Sequence, residues 1–263
     1  MAGVFGLIYG SFSGVVIGRT PLTVRALIPG SRCDSCATPI KWYQNIPVIS
    51  WLVLRGRCAA CGSSIPVWSP VLELASGLMF ALVALWGLRI DSTGLVTADS
   101  LLQTVTYLGL VTNGLCIAII DLNRRQIPNL LVVTGLVWGI LGFGADALFF
   151  GHTQKLIVAL LAMGTFFAVL LVIKLAVPRG MGAGDVKLAA VLGLYLGWQG
   201  WGALAVGVFA SFAFGAAFGL VYMAVKGGGR KTTVPFGPWL IIGTWFGILL
   251  GEPIWAVYLV LIR

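Results

Sequence analysis

The chain has 263 residues, of which 59% are hydrophobic and only 10% are charged, and its mean hydropathy is +1.01. A soluble globular domain carries about 25% charged residues, so this composition excludes an ordinary soluble protein. The apolar runs are long and continuous, without the alternation of barrel strands. The sequence therefore predicts an all-α polytopic membrane protein, and its net charge of +9 does not require a nucleic-acid partner.

Eight transmembrane spans are predicted from the apolar runs and the breaks between them. They lie near residues 3–18, 68–88, 101–120, 130–150, 156–176, 186–198, 202–224 and 236–250. The first basic residue is Arg19, so the first span lacks the charged start of a signal peptide and is expected to stay uncleaved, with its N-terminus outside. We expect Gly251-Glu252-Pro253 to end the last span and leave 253–262 at the outer interface.

The basic residues predict the orientation of these spans. With the N-terminus outside, 14 of the 17 fall on the cytosolic side, which satisfies the positive-inside rule. These are Arg19, Arg25, Arg32, Lys41, Arg55, Arg57, Arg124, Arg125, Lys174, Arg179, Lys187, Lys226, Arg230 and Lys231, whereas Arg89, Lys155 and Arg263 fall outside. The net charge is then explained by anionic lipid and orientation.

A hydrophilic insert, residues 19–67, separates the first two spans and contains the pairs Cys33/Cys36 and Cys58/Cys61. Two C-x-x-C knuckles at this spacing are typical of a tetrahedral zinc site, and four thiolates leave no open position, so the zinc is expected to be structural. Disulfides or free thiols are the alternative, and the reducing cytosol disfavours the former. Cys116, alone in an apolar helix, is interpreted as a packing residue.

Two acids are expected at the cytosolic edge of the membrane, Asp121 after the third span and Asp185 before the sixth. An ionisable side chain in such a place indicates function, and two carboxylates that share a proton can hydrolyse peptides. Asp185 follows Gly182-Ala183-Gly184, where a substrate backbone can approach closely. We expect the pair to form one site, with Lys187 nearby.

Purely structural interpretations of these residues remain open at this point. Asp185 can simply cap its helix, and Asp121 can pair with Arg124 or Arg125. Glu73, in the first turns of the second span, is either a third polar member of the site or an anion favoured by the helix dipole. The remaining acids and His152 lie in or near outer loops or, for Asp34, within a knuckle, and His152 is not expected to be catalytic.

The chain carries an ordered set of short motifs. They are Gly10-Ser11-Phe12, Arg19-Thr20-Pro21, the two cysteine pairs with the intervening segment 42–51, Asp121 with Pro128, the segment 180–187, and Pro235-Phe236-Gly237-Pro238. In this order they resemble the motifs of the type IV prepilin leader peptidases, membrane aspartic proteases of the GxGD type. The match runs nearly end to end. Any one of these motifs is weakly specific, whereas the ordered set is highly specific.

The resemblance implies an inner-membrane endopeptidase that removes the basic leader of type IV pilin-like precursors on the cytosolic side, with Asp121 and Asp185 activating a water. It divides the chain into a first span (1–18), the four-cysteine insert (19–67) and a protease domain (68–263). Members with four cysteines typically also N-methylate the new N-terminal residue with S-adenosylmethionine. Here Gly14 stands where the family commonly has Asn, and Gly18 where a larger residue is usual.

Three alternatives accompany this expectation. The first is a peptidase without methyltransferase activity. The second is a transporter that uses the aspartates as a proton relay, for which acids near mid-bilayer and broken helices would be typical. The third is an inert homologue that serves as a zinc-dependent assembly scaffold.

Overall fold

The computed structural model describes residues 1–18, 31–33, 35–178, 180–226 and 235–262. Several features of the sequence analysis lie outside these ranges. They are the motif Arg19-Thr20-Pro21, Arg25, Asp34, Arg179, Arg230, Lys231 and Arg263.

The described chain is helical, with isolated bridges but no strand. Its helices are α1 (Ala2–Gly18), α2 (Ile49–Val53), α3 (Trp68–Gly87), α4 (Ala98–Arg124), α5 (Asn129–Phe150), α6 (Thr153–Ala176), α7 (Ala183–Gln199), α8 (Trp201–Lys226) and α9 (Gly237–Leu261). A short 3-10 helix covers Trp42–Asn45. Each predicted span corresponds to one long helix, and six of these are long and apolar enough to cross a membrane. The all-α membrane fold is therefore confirmed.

The predicted break at Gly251-Glu252-Pro253 is wrong, because α9 runs without interruption to Leu261 with Pro253 inside it. Proline removes one helical hydrogen bond, yet packing against α8 holds this turn in place. A Cβ atom at Gly251 would lie 2.5 Å from Cα of Ala203, so the two backbones touch. Glu252 Oε1 also accepts the backbone N–H of Ala203 at 3.1 Å. The two contacts keep α9 helical past the proline.

The chain divides into two compact units, Met1–Cys116 and Ile117–Arg263, with the boundary inside α4. In the first unit α1 packs on α3, and in the second α6 packs on α7 and α8 on α9. These pairs meet at glycines. A Cβ atom built on Gly10 would lie 2.6 Å from Cα of Glu73. One built on Gly193 would lie 2.7 Å from the carbonyl oxygen of Ala162, and one on Gly247 would lie 2.6 Å from that of Ala203. Close backbone approach of this kind is the usual way in which membrane helices associate.

Asp146, expected in or near an outer loop, lies fully buried close to the end of α5, next to the loop that carries His152. Its Oδ1 lies 2.5 Å from Nδ1 of His152, the residue just before α6. A buried carboxylate is costly unless it is paired, so the only histidine of the chain serves here as a structural partner.

We expect Gly247→Ala to lower the thermal stability of the purified protein, because the new methyl group would collide with the α8 backbone at 2.6 Å. Overpacking of this kind costs about 1–3 kcal/mol. Gly219→Ala in α8 is the matched control, since a Cβ atom there meets nothing within 4 Å. Unfolding temperatures measured in detergent should separate the two variants, and equal temperatures would contradict close α8–α9 packing.

Candidate active site

Asp121 lies in the last turn of α4. Two residues that follow this turn prevent the helix from continuing. Arg125 takes a left-handed conformation (φ +53°), and Pro128 disfavours helix at the residue before it. The Asp121 side chain is 5% exposed. Its Oδ2 accepts the backbone N–H of Gly237, the first residue of α9, at 3.0 Å. Asp121 thus caps a helix that begins 116 residues later in the chain.

Asp185 lies in the first turn of α7 and is 8% exposed. Its Oδ2 accepts the backbone N–H of Gly182, the N-cap residue of the same helix, at 3.1 Å. The capping interpretation is therefore correct for one oxygen of this carboxylate. Within the described residues, Oδ1 of Asp185 and Oδ1 of Asp121 have no hydrogen-bond partner, which leaves one oxygen of each acid for another task.

The two aspartates belong to the same unit and are close enough to interact electrostatically. Ile127 packs against the backbone beside both of them. A Cβ atom would lie 2.9 Å from Ile127 Cβ if built on Gly184, and 3.4 Å from Ile127 Cδ1 if built on Gly237. The starts of α7 and α9 therefore converge around one isoleucine side chain, just after the end of α4.

Two glycines leave space for the carboxylates themselves. A Cβ atom at Gly237 would lie 2.8 Å from Oδ2 of Asp121, and one at Gly182 would lie 3.0 Å from Oδ2 of Asp185. The contact at Gly237 is shorter than Cβ atoms normally allow, and a Cβ atom at Gly182 would force the Asp185 carboxylate to shift. This gives a physical reason for glycine at both places.

The basic residues near the acids have different partners from one another. Lys187, expected beside Asp185, donates from Nζ to Oδ1 of Asn129 at 3.0 Å and so joins the starts of α7 and α5. Arg125 interacts electrostatically with Asp121, and Lys174 with Asp185. Lys187 thus positions a helix start, whereas Arg125 and Lys174 supply positive potential.

Sequence reasoning missed the roles of Gly237 and Ile127. Gly237 was recognised only as part of the motif Pro235-Phe236-Gly237-Pro238, although Gly-Pro before an apolar run is a recognisable helix start. No sequence signal shows that Asp121 supplies the acceptor for its N–H. Ile127 looks like any apolar residue in a loop.

Glu73 lies in the first unit and is buried in α3. Its Oε2 accepts the backbone N–H of Val48 at 2.7 Å, and Val48 is the N-cap residue of α2. Through this hydrogen bond, one carboxylate oxygen of Glu73 anchors the insert to α3.

The four cysteines of the insert are brought together, with all Sγ atoms within 4.8 Å of one another. Sγ of Cys33 and Sγ of Cys61 are 3.8 Å apart. Tetrahedral zinc with bonds of about 2.3 Å requires sulfur atoms about 3.8 Å apart, so the donor set fits this metal. The four cysteines are therefore positioned to hold a metal ion.

The two knuckles repeat one backbone pattern. The N–H of Cys33 donates to Thr38 O and that of Ala37 to Cys33 O, while Cys58 and Gly62 make the equivalent bonds in the second knuckle. The backbone N–H of Cys36 and the hydroxyl of Ser63 lower the pKa of the Cys33 thiol to about 6. A thiolate is thus available at neutral pH, which metal binding requires.

Comparisons with known proteins cover most of the chain. Residues 4–86 match the model of the bacterial peptidase A24 N-terminal domain, and residues 106–220 match that of the type IV leader peptidase family. No solved structure is significantly similar to this chain.

Curated relatives extend the match. The chain is 33% identical to a prepilin leader peptidase/N-methyltransferase of Stutzerimonas stutzeri, over 97% of this chain and 92% of the relative. It is 30% identical to the prepilin leader peptidase/N-methyltransferase of Neisseria gonorrhoeae, over 97% of this chain and 91% of the relative. Because both family models match and the similarity extends over nearly the whole chain, the protein belongs to the type IV leader peptidase family.

Proposed function

We propose that this protein is a prepilin leader peptidase, an aspartic endopeptidase that removes the basic leader of type IV pilin-like precursors. The observation that carries the proposal is the pair Asp121 and Asp185, two buried carboxylates that are close enough to interact electrostatically and that each accept a backbone N–H. The names of the relatives, prepilin leader peptidase/N-methyltransferase, support the substrate class.

The chemistry follows from two carboxylates that share one proton. The ionised acid takes a proton from a water, and the resulting hydroxide attacks the scissile carbonyl carbon. The protonated acid donates a hydrogen bond to the carbonyl oxygen and stabilises the tetrahedral intermediate. The acid that took the proton from water then passes it to the leaving nitrogen, and the C–N bond breaks as the tetrahedral intermediate collapses. The pair is left with its one starting proton.

The capping bonds hold the pair ready for this reaction. Each carboxylate uses Oδ2 for a backbone N–H and keeps Oδ1 for water or substrate. A catalytic group held in one orientation loses little entropy when the substrate binds. The helix starts at Gly182 and Gly237 place positive dipole ends beside the acids, which supports a negative charge on one of them.

We place the site at the cytosolic face of the inner membrane. The support is the distribution of basic residues, 14 of 17 of which lie on one side when the N-terminus is outside. The same proposal keeps the division into a first helix (1–18), a four-cysteine insert (19–67) and a protease domain (68–263).

We further propose that Cys33, Cys36, Cys58 and Cys61 bind a structural zinc ion. The Cys33–Cys61 sulfur separation of 3.8 Å fits zinc, and all four sulfur atoms lie within 4.8 Å of one another. Four cysteine ligands complete the shell of zinc without leaving a position for substrate. A small insert has little apolar core, so the metal would supply stability to its fold.

N-methylation of the new N-terminus is the second activity that we propose, with S-adenosylmethionine supplying the methyl group. The support is the name of the relatives and the complete cysteine set. Gly14 departs from the family pattern, yet a Cβ atom there meets nothing within 4 Å, so α1 has room for the usual Asn. Neither a proton-relay transporter nor an inert scaffold is favoured by this family membership.

Asp121→Asn and Asp185→Asn should each lower cleavage of a prepilin by about 1,000-fold or more, because neither amide can take or give the proton. The variants should remain folded, since Asn keeps an oxygen that accepts the capping N–H. Asp91→Asn, in an exposed loop, is the control with the same chemical change. Cleavage followed by product mass is the measurement, and strong activity in either folded variant would remove the peptidase proposal.

Gly237→Ala should lower kcat by roughly 10- to 100-fold, because the new methyl group would push Asp121 from its place. We expect little change in KM, since the substrate-binding surface stays intact. Gly219→Ala is the control, and a normal kcat in Gly237→Ala would show that the Asp121–Gly237 bond is dispensable.

Cys33→Ser and Cys61→Ser should lose the metal, whereas Cys116→Ser, in the buried face of α4, should keep it. Zinc per chain, determined by mass spectrometry of the metal, distinguishes these results. A wild-type protein with well under one zinc per chain would contradict the structural metal site.

Methylation should raise the mature product by about 14 Da, one methyl group, when S-adenosylmethionine is present. Cleavage itself should not depend on the methyl donor. Gly14→Asn should keep or increase the methylated fraction, because the side chain enters open space. Unmethylated product at saturating donor would leave a peptidase alone.

A further inference from the structure

The insert carries an exposed apolar surface between its two cysteine knuckles, which we call the insert patch: Trp42, Tyr43, Ile46, Ile49, Leu52 and Val53. Trp42 is 81% exposed, Leu52 62% and Val53 75%. Ile49, Leu52 and Val53 follow the i, i+3, i+4 spacing of one helix face. Exposed large apolar side chains clustered within so short a segment mark an interaction site.

The patch belongs to a folded element, because the other side of the segment is well held. Ser50 is buried, and its Oγ donates to the carbonyl oxygen of Tyr43 at 3.0 Å. Trp51 donates from Nε1 to the carbonyl oxygen of Ile65 at 3.2 Å. The apolar side chains are therefore presented outward by defined packing.

Glu73 fixes the depth of this segment relative to a membrane helix. It lies five residues after Trp68, the first residue of α3, and at 1.5 Å per residue this is about 8 Å along the helix. Its Oε2 accepts the N–H of Val48, the residue just before α2. The start of α2 is thus level with the second turn of a helix that is long and apolar enough to span a membrane.

The bond to Glu73 also holds an uncommon backbone conformation. Val48 has φ +61°, which is rare for a β-branched residue and persists only where the surroundings impose it. The carboxylate binds the N–H of that same residue. The segment is therefore bent at Val48 and anchored at the same point.

The charges around the patch match a negatively charged surface. Lys41 precedes it, Arg55 and Arg57 follow it, and all three are exposed. Residues 35–66 contain no acidic residue. Trp and Tyr are the aromatic residues enriched where a membrane meets water, and each Lys or Arg near anionic lipid adds to the attraction.

We propose that residues 42–53 form an interfacial segment that inserts the insert patch into anionic lipid at the membrane surface around the start of α3. Glu73 is its positioning residue, and Lys41, Arg55 and Arg57 contact lipid phosphates. The cysteine cluster, whose knuckles flank this segment, is thereby held against the membrane surface. This proposal is independent of the proposed catalytic activity.

The first test uses the full chain labelled with 5-fluorotryptophan in nanodiscs of phosphatidylglycerol and phosphatidylcholine. Trp42→Phe identifies the fluorine resonance of Trp42. A nitroxide lipid labelled near the headgroup should broaden this resonance at least threefold more than a water-soluble gadolinium chelate does. Stronger broadening by the chelate would overturn the proposal, as would protection that appears only after a prepilin is added, since the patch would then bind protein.

The second test measures amide hydrogen exchange of the peptide that covers 46–54 in the same nanodiscs. Glu73→Ala should raise the exchange rate about tenfold or more, while Glu73→Gln, which keeps a side-chain acceptor, should stay within about threefold of wild type. Val53→Glu should also raise exchange, whereas Ser64→Glu, at an exposed position of the insert outside the patch, should not. Unchanged exchange in both Glu73→Ala and Val53→Glu would overturn the proposal.

Because a variant can fail by misfolding, wild-type protein supplies the remaining comparison. Exchange of 46–54 should be at least threefold slower in nanodiscs with phosphatidylglycerol than in pure phosphatidylcholine at low salt. Equal rates in the two lipids would overturn the assignment of anionic lipid as the partner.

Discussion

Backbone N–H groups at helix starts need an acceptor, and a chain that lies mostly in lipid cannot rely on water to provide one. This protein meets that need with carboxylates. Glu73, Asp121, Asp185 and Glu252 each accept a backbone N–H at the beginning of a helix, respectively α2, α9, α7 and α8. At least four of the eight acidic residues are used in this way. The positions of the helices and of the acids are therefore set by the same bonds.

The candidate active site is a special case of this arrangement. Two of the four capping carboxylates are close enough to interact, and each keeps one oxygen without a partner among the described residues. A cap that served stability alone would gain nothing from a second acid beside it, because like charges repel. The capping role and the proposed catalytic role thus do not compete, since they use different oxygen atoms.

Much of the architecture follows from the sequence because length and hydropathy alone identify membrane helices. The cysteine cluster was also predictable, since the local C-x-x-C turn fixes two ligands at a time. The break expected at Pro253 does not occur, because contacts of Gly251 and Glu252 with α8 outweigh the local preference of proline. The Asp121–Gly237 and Asp146–His152 contacts were missed for a similar reason: pairing depends on tertiary structure that no local pattern encodes.

Ile127 has a consequence for how sequence can vary around the two acids. Its side chain lies against Gly184, beside Asp185, and against Gly237, which binds Asp121. A change of volume at any of these three positions must be absorbed by the other two. Free energies of substitution at residues in contact are not additive, so the three positions should behave as one coupled unit in double-mutant cycles. Relatives that differ at one of them are then expected to carry a compensating change at another.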